Sequence, residues 1–182
     1  MKGKHAKYAF AVLVAVPLFV FVSWVVTETM VEQTAGVEFC GTCHTMQPMV
    51  AAYLKDVHGG GGPEGVQAKC NDCHVPHENA FVYMVRKAQF GIHDVWAQLT
   101  YDLDEINWQE KRAHRELFVF DSGCLKCHKD LERATSPSAP AFIAHRAYFG
   151  EEADVKCVSC HPRVGHDALA RHLPDSENGD QP

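Results

Sequence analysis

Apolar and polar positions follow two patterns along this chain, one continuous and one periodic. Residues 8–27 form an apolar block of twenty residues without a charged side chain. As a helix this block would be about 30 Å long, which matches the hydrocarbon core of a bilayer. Residues 79–99 instead carry apolar side chains at roughly helical spacing, which predicts a helix there. Those side chains are Phe81, Val85, Ala88, Ile92, Val95, Trp96 and Leu99.

Charged residues on either side of the apolar block predict its orientation. Three lysines precede it and two glutamates follow it, so the positive-inside rule places the N-terminus in the cytoplasm and the rest on the far side of the membrane. A cleaved signal peptide is the alternative. The apolar run exceeds the core of about 7–15 residues of such a peptide, and no Ala-x-Ala-like site follows it. We therefore expect an uncleaved, single-pass anchor.

The cysteines supply the strongest chemical signal. All eight lie in four copies of C-x-x-C-H, the motif that attaches haem through two thiols and offers its histidine to the iron. Disulfides or four-thiolate zinc sites would not need a histidine after each second cysteine. The sequence therefore predicts four covalently bound haem c groups. The motifs are Cys40, Cys43 and His44; Cys70, Cys73 and His74; Cys124, Cys127 and His128; and Cys157, Cys160 and His161.

These features together predict the fold class and the domains. Four haems are a large apolar mass for 182 residues, so we expect them to supply much of the core and the soluble part not to fold without them. The predicted fold is mainly α, with one N-terminal transmembrane helix and a loop-rich, haem-packed tetrahaem cytochrome c domain. Residues 1–27 would be the cytoplasmic N-terminus and anchor, residues 28–173 the tetrahaem domain, and the polar residues 174–182 a disordered tail.

The charge distribution limits the partners. The formal net charge is −6, and all 23 acidic residues lie after residue 27. An acidic domain argues against nucleic acid or an anionic lipid surface as its partner.

Each haem iron needs axial ligands, and the four motif histidines supply only one per haem. His58 stands before a glycine run that permits close backbone approach, His145 lies on a helix predicted over residues 141–149, and His166 follows the fourth motif by five residues. Three further ligands are wanted, and position favours these three; His5 lies on the cytoplasmic side. For each of them a surface role is the alternative.

Several of these stretches resemble one family. The apolar anchor, "CHTM", "CNDCHVPH", "KAQFGIHD" and "CVSCHPRVGH" resemble the NapC/NirT family of membrane-anchored tetrahaem quinol dehydrogenases over about residues 8–166. The resemblance implies a haem domain that faces the periplasm from the bacterial inner membrane. It also implies oxidation of menaquinol or ubiquinol and electron delivery to a periplasmic multihaem reductase.

The resemblance leaves the branch of the family open. The ending "CVSCHPRVGH" is more similar to the small subunit of cytochrome c nitrite reductase, NrfH, than to donors of periplasmic nitrate reductase. In that small subunit, a haem resembling the second one here takes a lysine from the catalytic partner. A histidine at the position of His145 is more typical of the nitrate branch.

The resemblance also implies roles for three further residues. In the family, the methionine of C-x-x-C-H-x-M can hold the first iron, which maps to Met46 and leaves His44 as the alternative ligand. Lys87 and Asp94 match the family's quinol site, with Asp94 as proton acceptor and Lys87 as hydrogen-bond donor to the quinone. They are seven residues apart, so they lie on nearly one helical face; two solvated charges are the alternative.

Two rival functions remain at this point. One is a membrane-anchored electron shuttle that never binds quinol. The other is an enzyme whose open haem reduces a small molecule itself.

Overall fold

The computed structural model describes residues 2–63, 65–150 and 155–173, and most of them are helical. Within these residues the only strand-like pairing is an isolated bridge between Gly59 and Gln67. The predicted mainly α fold is confirmed, whereas the predicted tail, 174–182, lies outside the described residues. The helices are α1 (Lys2–Gln33), α2 (Val37–Cys40), α3 (Gln47–Tyr53), α4 (Cys70–His74), α5 (Ala80–Thr100), α6 (Trp108–Ala113), α7 (Asp121–Cys124), α8 (Leu131–Thr135), α9 (Ala139–Phe149) and α10 (Cys157–Cys160), with 3-10 turns at His44–Met46, Arg115–Leu117 and Leu169–Arg171.

Helix α1 has the length and composition to cross a membrane. Its segment Lys7–Gln33 contains an apolar stretch of mean hydropathy 2.6 that packs against no other part of the protein. Apolar side chains occur on all sides of the helix, so a single apolar face packed on a core would not account for them. Pro17 lies inside the helix without ending it, as membrane helices tolerate. The predicted apolar helix is confirmed.

The protein's own apolar core is small. In the part of the chain that the structure describes, the buried apolar side chains are Ala35, Ala52, Tyr53, Val75, Val158 and Leu169. Burial of one large aliphatic side chain contributes only about 1.5–3 kcal/mol. So short a list cannot offset the conformational entropy of a domain of this size. The core therefore agrees with a domain that relies on its haems.

Helix α5 follows the predicted boundaries within one residue and has two different faces. Asn79 caps its first turn, where the side-chain oxygen accepts the Val82 N–H at 2.9 Å. The ring of Phe90 stacks on Phe120, with 6.1 Å between centroids, and so joins one face to the domain. The apolar side chains that predicted the helix lie mostly on the opposite, exposed face; Leu99, for example, is 77% exposed.

Helix α9, which carries His145, begins two residues before the predicted start. Ala139 and Pro140 belong to its first turn. Proline fits there because the first N–H groups of a helix have no partner within the helix, so its missing donor costs nothing. The predicted start of this helix was therefore two residues too late.

Helices α4 and α7, which carry the second and third C-x-x-C-H motifs, are in direct backbone contact. A Cβ atom on Gly123 would lie 1.8 Å from the carbonyl oxygen of Asp72. The N–H of Phe120 donates to the Cys73 carbonyl at 3.0 Å, and Lys126 Nζ lies 2.6 Å from the Asp72 carboxylate. Only glycine allows this approach, so the spacing of the two motifs depends on residue 123.

Gly123→Ala is expected to destabilise the haem-loaded protein by about 1–3 kcal/mol, because the new methyl group forces α4 and α7 apart. At this chain length that lowers the melting temperature by about 2–4 °C per kcal/mol. Thermal unfolding of detergent-solubilised protein, followed by haem absorbance, measures the change. Gly36→Ala is the matched control, since φ is −105° and no heavy atom lies within 4 Å of its Cβ position. Equal melting of both variants would show that the α4–α7 contact is not tight.

Candidate functional site

The four motifs lie next to one another in chain order. All eight cysteines are free thiols. The Cys70 thiol lies close enough to Cys40 to lower the pKa of the Cys40 thiol, so the first motif adjoins the second. The Cys157 thiol likewise lowers the pKa of the Cys124 thiol, so the third motif adjoins the fourth. With the α4–α7 contact between the second and third motifs, the attachment points form one continuous series.

Side chains around the third and fourth motifs fix this arrangement. Asp121, the first residue of α7, accepts the backbone N–H of Cys157 at 3.1 Å and the hydroxyl of Tyr148 at 2.7 Å. Burial and the Asp121 carboxylate raise the pKa of the Tyr148 phenol, so the tyrosine stays a neutral donor. One carboxylate thereby links α7, α9 and α10.

Three of the motif histidines each lie beside one of the predicted distal histidines. The ring centroids of His74 and His166 are 6.1 Å apart. Those of His58 and His128 are 6.1 Å apart, and those of His145 and His161 are 6.2 Å apart. The sequence predicted these distal histidines but not which motif histidine each one would face. The structure pairs each of them with one motif histidine.

This spacing fits a shared iron. Metal–imidazole bonds are about 2 Å long, so two histidines that bind one metal from opposite sides hold their ring centroids about 6 Å apart. Imidazoles in direct van der Waals stacking would lie much closer. The residues present therefore fit three bis-histidine haems, one on each of the second, third and fourth motifs.

Hydrogen bonds orient four of these rings through Nδ1. His74 Nδ1 lies 2.8 Å from the Phe118 carbonyl oxygen, and His166 Nδ1 lies 3.1 Å from that of Met49. His145 Nδ1 lies 3.2 Å from the Thr135 hydroxyl, and His58 Nδ1 lies 3.0 Å from the Asp56 carboxylate. Each ring that donates from Nδ1 presents a lone pair on Nε2, the form in which imidazole binds a metal.

Burial also favours neutral imidazoles in the pair at the second motif, His74 and His166. Loss of solvent lowers the pKa of His74, and burial together with the neighbouring His74 lowers the pKa of His166. Neutral imidazole is the form that binds iron. Both rings are therefore prepared as ligands rather than as cations.

The first motif is arranged differently. His44 has a side chain that is 75% exposed, with Nε2 3.9 Å from Asp104. Met46, two residues on, is also exposed and ends the same 3-10 turn. Among the described residues no second histidine ring faces His44. The assignment of the first iron to Met46 or His44 stays a prediction.

Lys87 and Asp94 both lie near the first motif. Lys87 Nζ donates to the carbonyl oxygen of Thr34, just beyond α1, at 3.0 Å, and burial lowers its pKa. Asp94 is 79% exposed. The charges of both residues act on the Cys40 thiol, so α5 places them on the side of the first motif.

The C-terminal end of α5 and the first motif border an open surface depression of about 480 Å³. A hydrogen bond from Gln98 Nε2 to Thr45 Oγ1, 3.3 Å long, joins the helix to the motif at this point. The depression is lined by His44, Gln98 and residues 99–104.

Two residues with a structural part in the site were not found from the sequence. Asp56 and Thr135 each contact Nδ1 of a predicted distal histidine. Asp56 precedes His58 by two residues, so a D-x-H pattern was an available signal. Thr135 had none, because it meets His145 only through the packing of α8 on α9.

Comparison with known proteins gives consistent results. Residues 2–171 match the family model described as "NapC/NirT cytochrome c family, N-terminal region". The tetraheme c-type cytochrome CymA of Shewanella oneidensis is 28% identical over 177 residues, which cover 88% of this chain and 92% of that protein. The cytochrome c-type protein NapC of Haemophilus influenzae is 30% identical, with 84% of this chain and 76% of that protein covered.

One solved structure also resembles the whole fold. It is the crystal structure of the cytochrome c nitrite reductase NrfHA complex bound to the HQNO inhibitor. One chain of that complex matches with a TM-score of 0.57 and 25% identity, covering 93% of this chain and 99% of the other. The family match includes all four motifs and the N-terminal helix, so this chain belongs to the NapC/NirT cytochrome c family.

Proposed function

We propose that this chain is a membrane-anchored tetrahaem cytochrome that oxidises membrane quinol and passes electrons singly to a periplasmic reductase. The observation that carries this proposal is the continuous series of four attachment points, three of them with a histidine pair at iron-binding distance. Bound haem supplies reversible one-electron chemistry, and the protein tunes it through the axial ligands. Adjacent motifs give the electrons a route from one end of the domain to the other.

The anchor and its flanking charges set the orientation of this route. Lys2, Lys4 and Lys7 precede the apolar stretch, and Glu28 and Glu32 lie at its other end. The positive-inside rule then places residues 28–173 in the periplasm of the bacterial inner membrane. Glu32 also pairs with Lys69, one residue before the second motif, so α1 would hold the haem domain against the membrane surface.

Iron ligation follows from the ring pairs. We assign His74 and His166 to the second haem, His128 and His58 to the third, and His161 and His145 to the fourth. Met46 is our assignment for the first iron. A thioether favours ferrous iron relative to a second imidazole, which suits the haem that first receives an electron.

Quinol would bind between α5 and the first motif. The exposed apolar face of α5, with Ile92 and Leu99, offers a route from the lipid phase. Lys87 would donate to a quinone oxygen. Oxidation of one quinol releases two electrons and two protons, and exposed Asp94 can accept a proton and release it to water.

Cytochrome c nitrite reductase is the partner that we propose, because the solved fold that matches this chain comes from the NrfHA complex. One observation favours a second candidate, a donor to nitrate reductase or another periplasmic reductase. The second motif finds its distal histidine, His166, within this chain, so no lysine from a catalytic partner is required. Co-purification under native conditions identifies the partner, and a reductase without nitrite activity would support the second candidate.

Alanine at His58, His145 or His166 is expected to convert one low-spin haem to high spin in each variant, since each loses one imidazole ligand. Electron paramagnetic resonance and visible spectra of the purified protein measure this. His114→Ala, at an exposed position after α6, is the matched control and should keep the wild-type spectrum. Wild-type spectra in all three variants would refute the ligand assignment.

Asp94→Asn is expected to slow haem reduction by quinol about tenfold or more, because a neutral amide cannot accept the proton. Stopped-flow absorbance with menaquinol and ubiquinol analogues measures the rate. Dithionite reduction needs no proton acceptor and should stay normal, and Glu105→Gln serves as the exposed-carboxylate control. A wild-type quinol rate would remove Asp94 from the mechanism and would favour the simple electron shuttle.

Met46→His is expected to lower the potential of the first haem, since an imidazole nitrogen in place of the thioether favours ferric iron. All four haems should remain attached, because the variant leaves every motif cysteine in place. Redox titration of the purified protein gives the four potentials. An unchanged first potential would return Met46 to a packing role and assign the iron to His44.

A further inference from the structure

The loop that carries His58 contains a buried carboxylate aimed at that histidine. Asp56 is 6% exposed. Its Oδ1 lies 3.0 Å from His58 Nδ1 and accepts the backbone N–H of His58 at 2.8 Å. The proton of the imidazole is thereby held on Nδ1, which leaves Nε2 with a free lone pair; the ring of His128 lies 6.1 Å away, centroid to centroid.

The backbone around this pair is closely packed. A Cβ atom on Gly59 would lie 1.8 Å from the carbonyl oxygen of Tyr53, and Gly60 has φ +91°. The N–H groups of Gly59 and Gly61 both donate to the Asp56 carbonyl at 3.0 Å. The glycine run of this loop therefore allows close contact with the chain's own backbone, and it holds Asp56 next to the Nδ1 edge of the imidazole.

The other distal histidines have neutral partners at the same atom. His166 Nδ1 faces a backbone carbonyl oxygen, that of Met49. His145 Nδ1 faces the Thr135 hydroxyl, which donates its own proton to the Leu131 carbonyl at 2.6 Å and so accepts from the histidine. Of the three distal ligands, His58 is thus the one whose partner carries a full negative charge.

The charge has a direct consequence for the iron. A carboxylate that accepts from Nδ1–H makes the imidazole a stronger donor at Nε2. Its negative charge also favours the ferric over the ferrous state, since reduction removes one positive charge from the site. Both effects lower the reduction potential. A hydroxyl or carbonyl partner increases donation from Nε2 only weakly and adds no negative charge.

We propose that Asp56 is a positioning residue that orients His58 and lowers the potential of the third haem below that of the fourth. This inference rests on the proposed function, in that it takes His58 and His145 as the distal ligands of those two haems. It assigns the third haem as a low-potential step between the second haem and the fourth.

The test is a redox titration of the full-length, haem-loaded protein in detergent, followed by visible and electron paramagnetic resonance spectra. In Asp56→Asn the side chain keeps its shape and its oxygen acceptor but loses its charge. One potential should rise, with the reduction equilibrium changed about tenfold, which is about 59 mV for one electron. Thr135→Val is the matched control; it should shift a different haem and by less.

His58→Ala and His145→Ala identify the haems in this titration. Each variant identifies one haem as the one that becomes high-spin. In wild-type protein, the haem identified by His58→Ala should titrate at a lower potential than the haem identified by His145→Ala. This comparison needs no change at Asp56, so it decides the ordering even where Asp56→Asn does not accumulate. Asp56→Ser is the second neutral variant, because a serine hydroxyl can still accept the hydrogen bond from the His58 backbone N–H.

The outcomes separate the two proposals. Four unchanged potentials in Asp56→Asn, together with a high-spin haem in His58→Ala, would overturn the role of Asp56 and leave the ligand assignment intact. A wild-type potential of the third haem above that of the fourth would also overturn the role of Asp56 and leave the ligand assignment intact. A wild-type spectrum in His58→Ala would overturn the ligand assignment itself, and the role of Asp56 with it.

Discussion

Two imidazoles can bind one iron from opposite sides only if their rings are held about 6 Å apart, and three histidine pairs in this fold meet that constraint. His166 returns from the end of the chain to His74, and His58 reaches across to His128. His145 is carried to His161 by α9, which packs on α8. The partners of Nδ1 then set the rotation of these rings, so the ligand geometry rests on ordinary hydrogen bonds.

The protein's own apolar core is small, so contacts between the motifs hold the short helices in place. The helices that carry the motifs are four or five residues long, too short to be stable alone. They are held by contacts between motifs, such as Gly123 against the Asp72 carbonyl and Asp121 against the Cys157 N–H. Packing is therefore organised around the haem attachment points, and a substitution such as a methyl group at residue 123 acts on the spacing of two haems as well as on stability.

Helix α5 lies beside the first motif and packs on Phe120, just before α7. One face directs Lys87 and Asp94 toward the first motif and joins Lys87 to Thr34, just beyond α1, while the opposite face exposes apolar side chains. The opposite end of the domain, around α9 and α10, carries the fourth motif. Electron entry at the membrane and exit on the periplasmic side would follow from this polarity, with the third haem as the step that Asp56 holds at low potential.

The sequence by itself determined the four attachment points, the apolar helix and the family. Each of these is a local pattern: a five-residue motif, an uncharged run of twenty residues, or a short string such as KAQFGIHD. The sequence also named His58, His145 and His166 as candidate ligands. Only the tertiary structure decided which motif histidine each one faces, and only it showed that Asp56 and Thr135 contact two of them. The physical reason is that a ligand pair forms between segments distant in the chain, and the distance between two such rings depends on the packing of every helix and loop that carries them.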